Sequence, residues 1–303
     1  MSVSPSLIIL YEHAPLVARL ADRLRRLGVT LRSVCIHDAS IATDQQDDGT
    51  PVVNRVGAYP ASGGDVRIVL KTRSYLADLE ASDRRVFNGA HSYLVATSKL
   101  RQRDVIAGAG CRAPRSEAVR HVGDLATAAR GLRYPLILKP NVGGSGVGIH
   151  VLHDAAGLTA LAADPDLLIS VDGVGVLQEY HPPRDGMLAR LEFLGEELLY
   201  ASRQPVLAGT FNYCARGGCH AGDGTIEIID PPSEAVEEAR AIVRAAQADF
   251  GAVEYVVSDR DGERYWFDIN PFSNYVADVE RLGFDPDDRL ARFLAAAVSS
   301  AGK

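Results

Sequence analysis

Short apolar runs alternate with helical stripes through the first part of the chain. Leu7-Ile8-Ile9-Leu10 has the length of a buried strand, and Leu16, Leu20, Leu24 and Leu27 recur at the spacing of one helix face. Gly28 stops that helix, and Val29 to Ile36 reads as a second strand. Val52-Val53 and Val66 to Leu70 predict further strands around a Gly/Pro/Ser stretch. Ser74 to Ala81 predicts a short helix, and Val86-Phe87 one more strand. Strands separated by helices predict a parallel sheet with helices on its faces, a small α/β domain over residues 1–90.

The pattern then changes. A helix is expected from Thr97 through Leu100 and Val105 to Gly110, and further helices over 154–163, 233–249 and 286–298. Strands are expected at Tyr134 to Lys139, Ile149 to Leu152, Val176 to Tyr180, Leu188 to Phe193 and Glu197 to Ala201. Three more follow at Thr225 to Ile229, Ala252 to Ser258 and Arg264 to Ile269. Turn signals at Leu194-Gly195-Glu196 and Asp259-Arg260-Asp261-Gly262 join several of them into hairpins. Hairpins mixed with helices describe an α+β region over residues 91–303.

Composition narrows the class of protein. At 303 residues, with 47% hydrophobic and 23% charged positions, the chain can build large cores and is no disordered polymer. A net charge of −7 without any basic block gives no footing for a nucleic-acid surface. No apolar run spans a bilayer and the N-terminus carries no secretory pattern, so a soluble cytoplasmic protein is expected. Cys35, Cys111, Cys214 and Cys219 are too scattered for a disulfide framework. Cys214 with Cys219-His220 lacks the paired spacing of a zinc site and reads instead as a substrate-facing loop. His150 and His153 read as ordinary structural histidines.

The richest stretch is Pro135-Leu-Ile-Leu-Lys139-Pro-Asn-Val-Gly143-Gly144-Ser145-Gly146-Val-Gly148-Ile149-His-Val151. Glycines there leave backbone N–H groups uncovered, able to close around phosphate oxygens. No Gly-Lys-Ser/Thr ends the loop, and Ile149 stands where a dinucleotide fingerprint needs glycine, so neither familiar phosphate loop applies. What remains is a strand–loop–strand clasp with Lys139 as a point cation beside it; the bland alternative is a flexible hairpin bearing a solvated lysine. A second constellation is Tyr265-Trp266-Phe267-Asp268-Ile269-Asn270-Pro271. Strand alternation is expected to send Asp268 and Asn270 to one face, with Trp266, and Phe267 and Ile269 to the other. Two oxygen-bearing side chains so placed suit Mg²⁺, which takes one or two protein ligands plus phosphates. The Asp261-Gly262 turn can bring Glu254 beside them. Asn54-Arg55, at a strand end of the first domain, is either a substrate contact or a structural turn.

In order, Lys99, Leu138-Lys139-Pro140 with the glycine loop, Leu177-Gln178-Glu179-Tyr180 and Asp268-x-Asn270 resemble the ATP-grasp superfamily over about residues 90–300. Asp268 stands where many members carry Glu. Arg190, Arg203 and Asn212 ahead of Arg216-Gly217-Gly218 are similar to its ribosomal-protein glutamate-ligase and amino-acid-ligase branch. The resemblance implies a small Rossmann-like, pre-ATP-grasp domain followed by two α+β lobes, about 91–185 and 186–303, clasping a nucleotide. Lys99 and Lys139 would then contact the phosphates of ATP, with Gly143, Gly144, Ser145 and Gly146 closing over them. Gln178, Glu179, Tyr180 and His181 would form the adenine edge, and Asp185 would reach the ribose. Glu254, Asp268 and Asn270 would hold Mg²⁺, or Mn²⁺ in its place. Arg203 and Arg216 would act with Lys139 on the transferred phosphoryl group. Arg190, Asn212, Ser273 and Asn274 would face the substrates, a small-molecule carboxylate and an amine such as an amino acid or peptide. The implied reaction is ATP-dependent amide formation through an acyl phosphate, in a homodimer; a small-molecule kinase and a silent ATP-binding module are the alternatives.

Overall fold

Buried on both sides, Leu7 to Leu10 form the centre of β1 (Ser6–Tyr11), as a continuous apolar run in a parallel sheet should. A computed structural model describes residues 5–38, 49–58, 65–144, 146–165, 167, 169–206, 226–273, 275 and 282–300. β1 pairs in parallel with β2 (Thr30–Cys35) and β3 (Val52–Arg55), and β3 with β4 (Val86–Phe87), giving the order β2-β1-β3-β4. α1 (Pro15–Arg26) buries Val17, Leu20, Ala21 and Leu24 against this sheet. The stretch Val66 to Leu70, expected as a strand, is instead the start of α2 (Val66–Ala81). Asp65 caps it by accepting a hydrogen bond from the Arg67 N–H at 2.9 Å, and Ile68, Val69, Thr72, Tyr75, Leu76 and Leu79 make one buried face. Its β-branched opening hides the helical period that the next three turns reveal.

The single helix expected from Thr97 is two: α3 (Ala90–Ala96) and α4 (Lys99–Gly108), broken at Thr97-Ser98. Ser98 adopts extended backbone and caps α4 through its hydroxyl, which accepts from the Arg101 N–H at 3.3 Å. A four-stranded antiparallel sheet follows, ordered β5-β8-β6-β7: β5 (Ser116–Val119), β6 (Leu136–Pro140), β7 (His150–Leu152) and β8 (Gly175–Glu179). α5 (Leu125–Ala128) and α6 (Ala155–Ala162) cover one of its faces around Leu136, Leu138 and Leu177.

The largest sheet has the order β11-β10-β9-β12-β13, from β9 (Met187–Leu194), β10 (Glu197–Pro205), β11 (Glu227–Ile229), β12 (Phe250–Val257) and β13 (Arg264–Asn270). α7 (Ser233–Ala245) and α4 pack on one face, where Leu191, Phe193, Val253 and Trp266 are buried. The opposite face looks toward the β6–β8 sheet. The last helix, α8 (Pro286–Ser300), returns to the first sheet and buries Leu290, Leu294 and Val298 with Leu20 and Leu24 of α1. No helix among the described residues is long and apolar enough to cross a membrane.

Candidate active site

Between the two antiparallel sheets lies a cleft lined by residues of both, with Gly57 and Ala58, just after β3, also in its lining. The β6–β7 hairpin supplies one wall. Lys139, near the end of β6, is buried; burial and then repulsion from Lys99 push its ammonium down to about 7, against the attraction of Asp268. The turn after it needs glycine at Gly148, whose φ is +73° and where a Cβ would meet Pro140 Cγ at 3.0 Å. Asn141 joins this hairpin to α4. Its side-chain oxygen accepts from Ser98 Oγ at 3.0 Å and from the Leu100 N–H at 3.1 Å, while its carbonyl accepts from the Lys99 N–H at 3.0 Å. Lys99 is thereby held at the first turn of α4, close to Lys139.

The β12–β13 ribbon supplies the facing wall. Lys99 pairs with Asp268 and also donates to Gln102 Oε1 at 3.2 Å. Glu254 lies opposite Asp268 in the strand register, and the Asn270 amide donates to both carboxylates, at 3.2 and 3.3 Å. Burial works against charge on both acids. For Asp268, Lys99 and then Lys139 prevail and hold the carboxyl below its ordinary range; for Glu254 burial prevails over Arg190 and raises it. Arg190 pairs with Glu254, donates to Glu192 Oε1 at 2.8 Å and to Ser273 Oγ at 2.7 Å. Two carboxylates and an amide within hydrogen-bonding reach, balanced by cations, form a donor set that suits a hard divalent ion sharing phosphate oxygens. No group of three His, Cys, Asp or Glu suited to a metal occurs among the described residues, so phosphates or water would complete the shell.

No family model matches the chain, and no curated protein matches it in sequence. Its structure is similar to that of D-alanine–D-alanine ligase from Bacillus anthracis complexed with ATP, at TM-score 0.70 and 14% identity, covering 100% of each chain. It is also similar to a RimK-domain ATP-grasp protein from Sphaerobacter thermophilus, at TM-score 0.68 and 15% identity over 95% of this chain and 98% of that one. The ATP-grasp ligase PsnB in complex with a minimal precursor aligns at TM-score 0.67 and 15% identity, over 98% of this chain and 100% of the other. This chain has the ATP-grasp fold.

In the ATP-grasp cleft, the structure brings together Lys99, Lys139, Gly143, Gly144, Gly146, Gln178, Tyr180, His181, Arg190, Glu254, Asp268, Asn270 and Ser273. Two expectations change. Arg203 does not face the cleft: on β10 it shares a row with Ala189 and Tyr255, on the face covered by α7, and it pairs with Asp185. Asp185 is committed to that pair and to the Met187 N–H at 3.0 Å, outside the cleft lining. The side chain of Glu179 turns away from the cleft, which leaves the backbone reading of 178–181 untouched; its fully buried carboxylate accepts from the Arg133 N–H at 3.0 Å, with Arg260 at 3.7 Å and Arg115 at 3.8 Å. Strand pleating sets the direction of Arg203 and Glu179, since neighbours on a strand face opposite ways, whereas Asp185 lies in the turn ahead of β9.

The alternation expected on β13 is broken as well. A bulge shifts the register between Glu254/Asp268 and Tyr255/Trp266, so Phe267 joins Asp268 in lining the cleft while Trp266 enters the core with Ile269. The Trp266 indole N–H donates to Glu238 Oε2 at 2.7 Å. His181 stacks on Tyr265 at 3.7 Å, and its Nδ1 lies 3.1 Å from Ser258 Oγ. Ser145, Asn212, Arg216 and Asn274, with Cys214, Cys219 and His220, lie outside the described residues. Sequence reasoning missed Asn141, which sits inside the very Lys-Pro-Asn run it highlighted. It also missed Gly57 and Ala58, which carry no local signal, and the apolar lining by Ile137, Val206, Val256 and Phe267.

Proposed function

We propose that this protein is an ATP-dependent carboxylate–amine ligase, releasing ADP and phosphate as it forms an amide. The observation that carries the reading is the facing of two lysines, half-buried Lys99 and buried Lys139, against the Asp268, Glu254 and Asn270 set within one cleft. The lysines hold phosphate oxygens, and the glycine hairpin covers them with backbone N–H groups. Apolar side chains such as Ile137, Val256 and Phe267 supply flat walls for a base, beside the extended segment from Gln178 to His181. Asp268, Glu254 and Asn270 hold Mg²⁺, which when bound spreads the negative charge of the phosphates. A carboxylate is a poor electrophile; phosphorylation gives it a leaving group, and an amine then displaces phosphate from the acyl phosphate. The chain's task is alignment and charge neutralisation, with Arg190 at the substrate end of the metal-binding residues. Cytoplasmic ATP and free amino acids or peptides suit such a reaction.

An ADP-release screen over amino acids and small peptides, with mass spectrometry of the product, tests this. ADP and a condensed product should appear only when carboxylate and amine are both supplied. A stable phosphorylated product without amine would make the protein a kinase. Asp268→Asn should lower turnover by about 10²–10³-fold while nucleotide still binds through the lysines; full turnover in that variant contradicts the proposed site.

A further inference from the structure

Asn141 lines no part of the cleft, yet each of its polar groups is engaged with a segment that shapes it. The residue is buried, just past the end of β6 and two positions after Lys139. Toward α4, its side-chain oxygen accepts from Ser98 Oγ and from the Leu100 N–H, and its carbonyl accepts from the Lys99 N–H. The N–H groups of a helix's first turn have no partner within the helix, so Asn141 supplies one from 41 positions away. On its other side, the Asn141 amide donates to Asp172 Oδ2 at 2.7 Å, and its backbone N–H donates to the Val174 carbonyl at 3.0 Å. Asp172 Oδ1 accepts from Ser170 Oγ at 2.6 Å and from the Val174 N–H at 3.2 Å, closing the turn that leads into β8. The start of α4, the end of β6 and the turn ahead of β8 therefore meet on one side chain.

Moving α4 moves the Lys99 ammonium with it. That ammonium donates to Gln102 Oε1 one turn along the same helix, and Gln102 is buried, with Nε2 donating to the Ile269 carbonyl at 3.1 Å. Like charges repel, and Lys99 and Lys139 act on each other in the empty cleft, so their separation needs a frame to hold it. We propose that Asn141 is a positioning residue: bonded to Ser98, Leu100 and Asp172, it fixes the spacing at which Lys99 and Lys139 grip one polyphosphate. Asn141 itself touches no phosphate. The assignment rests on the ATP-binding part of the ligase reading, and adds to it the side chain that holds the two cations in register.

Calorimetric titration of the full-length protein with ATP and Mg²⁺ tests this, because it reads affinity and the fraction of competent sites separately. Misplaced cations lower affinity at every site, whereas a merely structural role lowers the number of sites and leaves their affinity unchanged. Asn141→Ala should weaken ATP binding about tenfold at unchanged stoichiometry. Asn141→Asp sets a second carboxylate against Asp172 and should weaken it by about as much. Adding Asp172→Asn to that variant reverses donor and acceptor and restores the local charge, so affinity should return to within about threefold of wild type. Should the Asn141 single variants fail to fold, Asp172→Ala, at an exposed position, decides, with a loss of about threefold expected. Affinity unchanged in these variants, or no recovery in the double variant, overturns the positioning role alone. A wild type that binds no ATP overturns the ligase reading itself.

Discussion

His181 shows how one side chain couples the cleft to stability. Its ring is buried against Tyr265, and burial, reinforced by Arg260, pushes its pKa down to about 4 despite Asp261 and Glu179. The unfolded chain takes up the proton near pH 6.5, whereas the folded protein resists it until about 4. Below 6.5 the unfolded state therefore binds more protons, and stability falls as pH falls through that window. Between pH 7.5 and 5 this one group should cost about 2 kcal/mol. Urea unfolding at the two pH values should show that much less pH dependence in His181→Gln; an unchanged difference would mean that the ring is not held neutral. Individual residues were also where sequence reasoning succeeded most unevenly. Lys139 and Asp268 were readable because each sits in a run whose local composition is unusual. Arg203 was misplaced because a one-position difference on a strand reverses the face, and nothing local to Tyr200-Ala-Ser-Arg reveals its parity.

The β12–β13 ribbon carries the carboxylates, and its shape depends on two irregularities. The bulge near Phe267 turns that ring into the cleft, and Gly251 lets the strands close at the far end. Gly251 has φ +146°, and a Cβ there would come within 2.6 Å of the Asn270 carbonyl oxygen and of Pro271 Cα. Both obstacles are backbone, so neither can swing aside. Gly251→Ala should therefore cost about 2–4 kcal/mol in urea unfolding. It should also lower the turnover of the proposed reaction by more than the lost folded fraction explains, because the displaced backbone carries Asn270. Wild-type stability in that variant would show that the close approach is not real. The hairpin itself was expected from the Asp261-Gly262 turn, but bulges leave little trace in composition. Likewise α2 opens with Val-Arg-Ile-Val, which fits strand or helix until the Asp65 cap and the buried stripe beyond it settle the matter.

Across the molecule, the parallel sheet β2-β1-β3-β4 is joined to the ribbon by Asn88, a residue at φ +53° just after β4. Its amide donates to the carbonyls of Phe250, at 3.0 Å, and Pro271, at 2.6 Å, and its oxygen accepts from the Asp249 N–H at 2.8 Å. Its own N–H donates to Asp249 Oδ2 at 2.7 Å, and Arg85 pairs with the same carboxylate. Phe250 in turn packs into the core shared by α1 and α8. Asn88→Ala removes the side-chain bonds from a buried junction and leaves alanine in a left-handed conformation. A loss of about 3–5 kcal/mol is expected. Amide exchange in β1 and β3 should then speed up well before that in β9 and β12. Uniform acceleration would mean that the two parts unfold as one unit.

From the sequence alone came most of the elements and their order, the lysine-bearing hairpin and the acid-and-amide strand, though not the helix at Val66, the break at Thr97-Ser98 or β5 and α5. Those features are local: hydrophobic period, turn chemistry and short runs of unusual composition are all written within a dozen residues. Folding in three dimensions was needed to choose which way Arg203, Glu179, Trp266 and Phe267 point, because pleat parity and bulges depend on partner strands. It was also needed to send α8 back to α1 and to set Arg55 beside Ser273, 218 positions apart in the chain. Such contacts arise from strand order and packing between distant segments, and no stretch of sequence read by itself contains them.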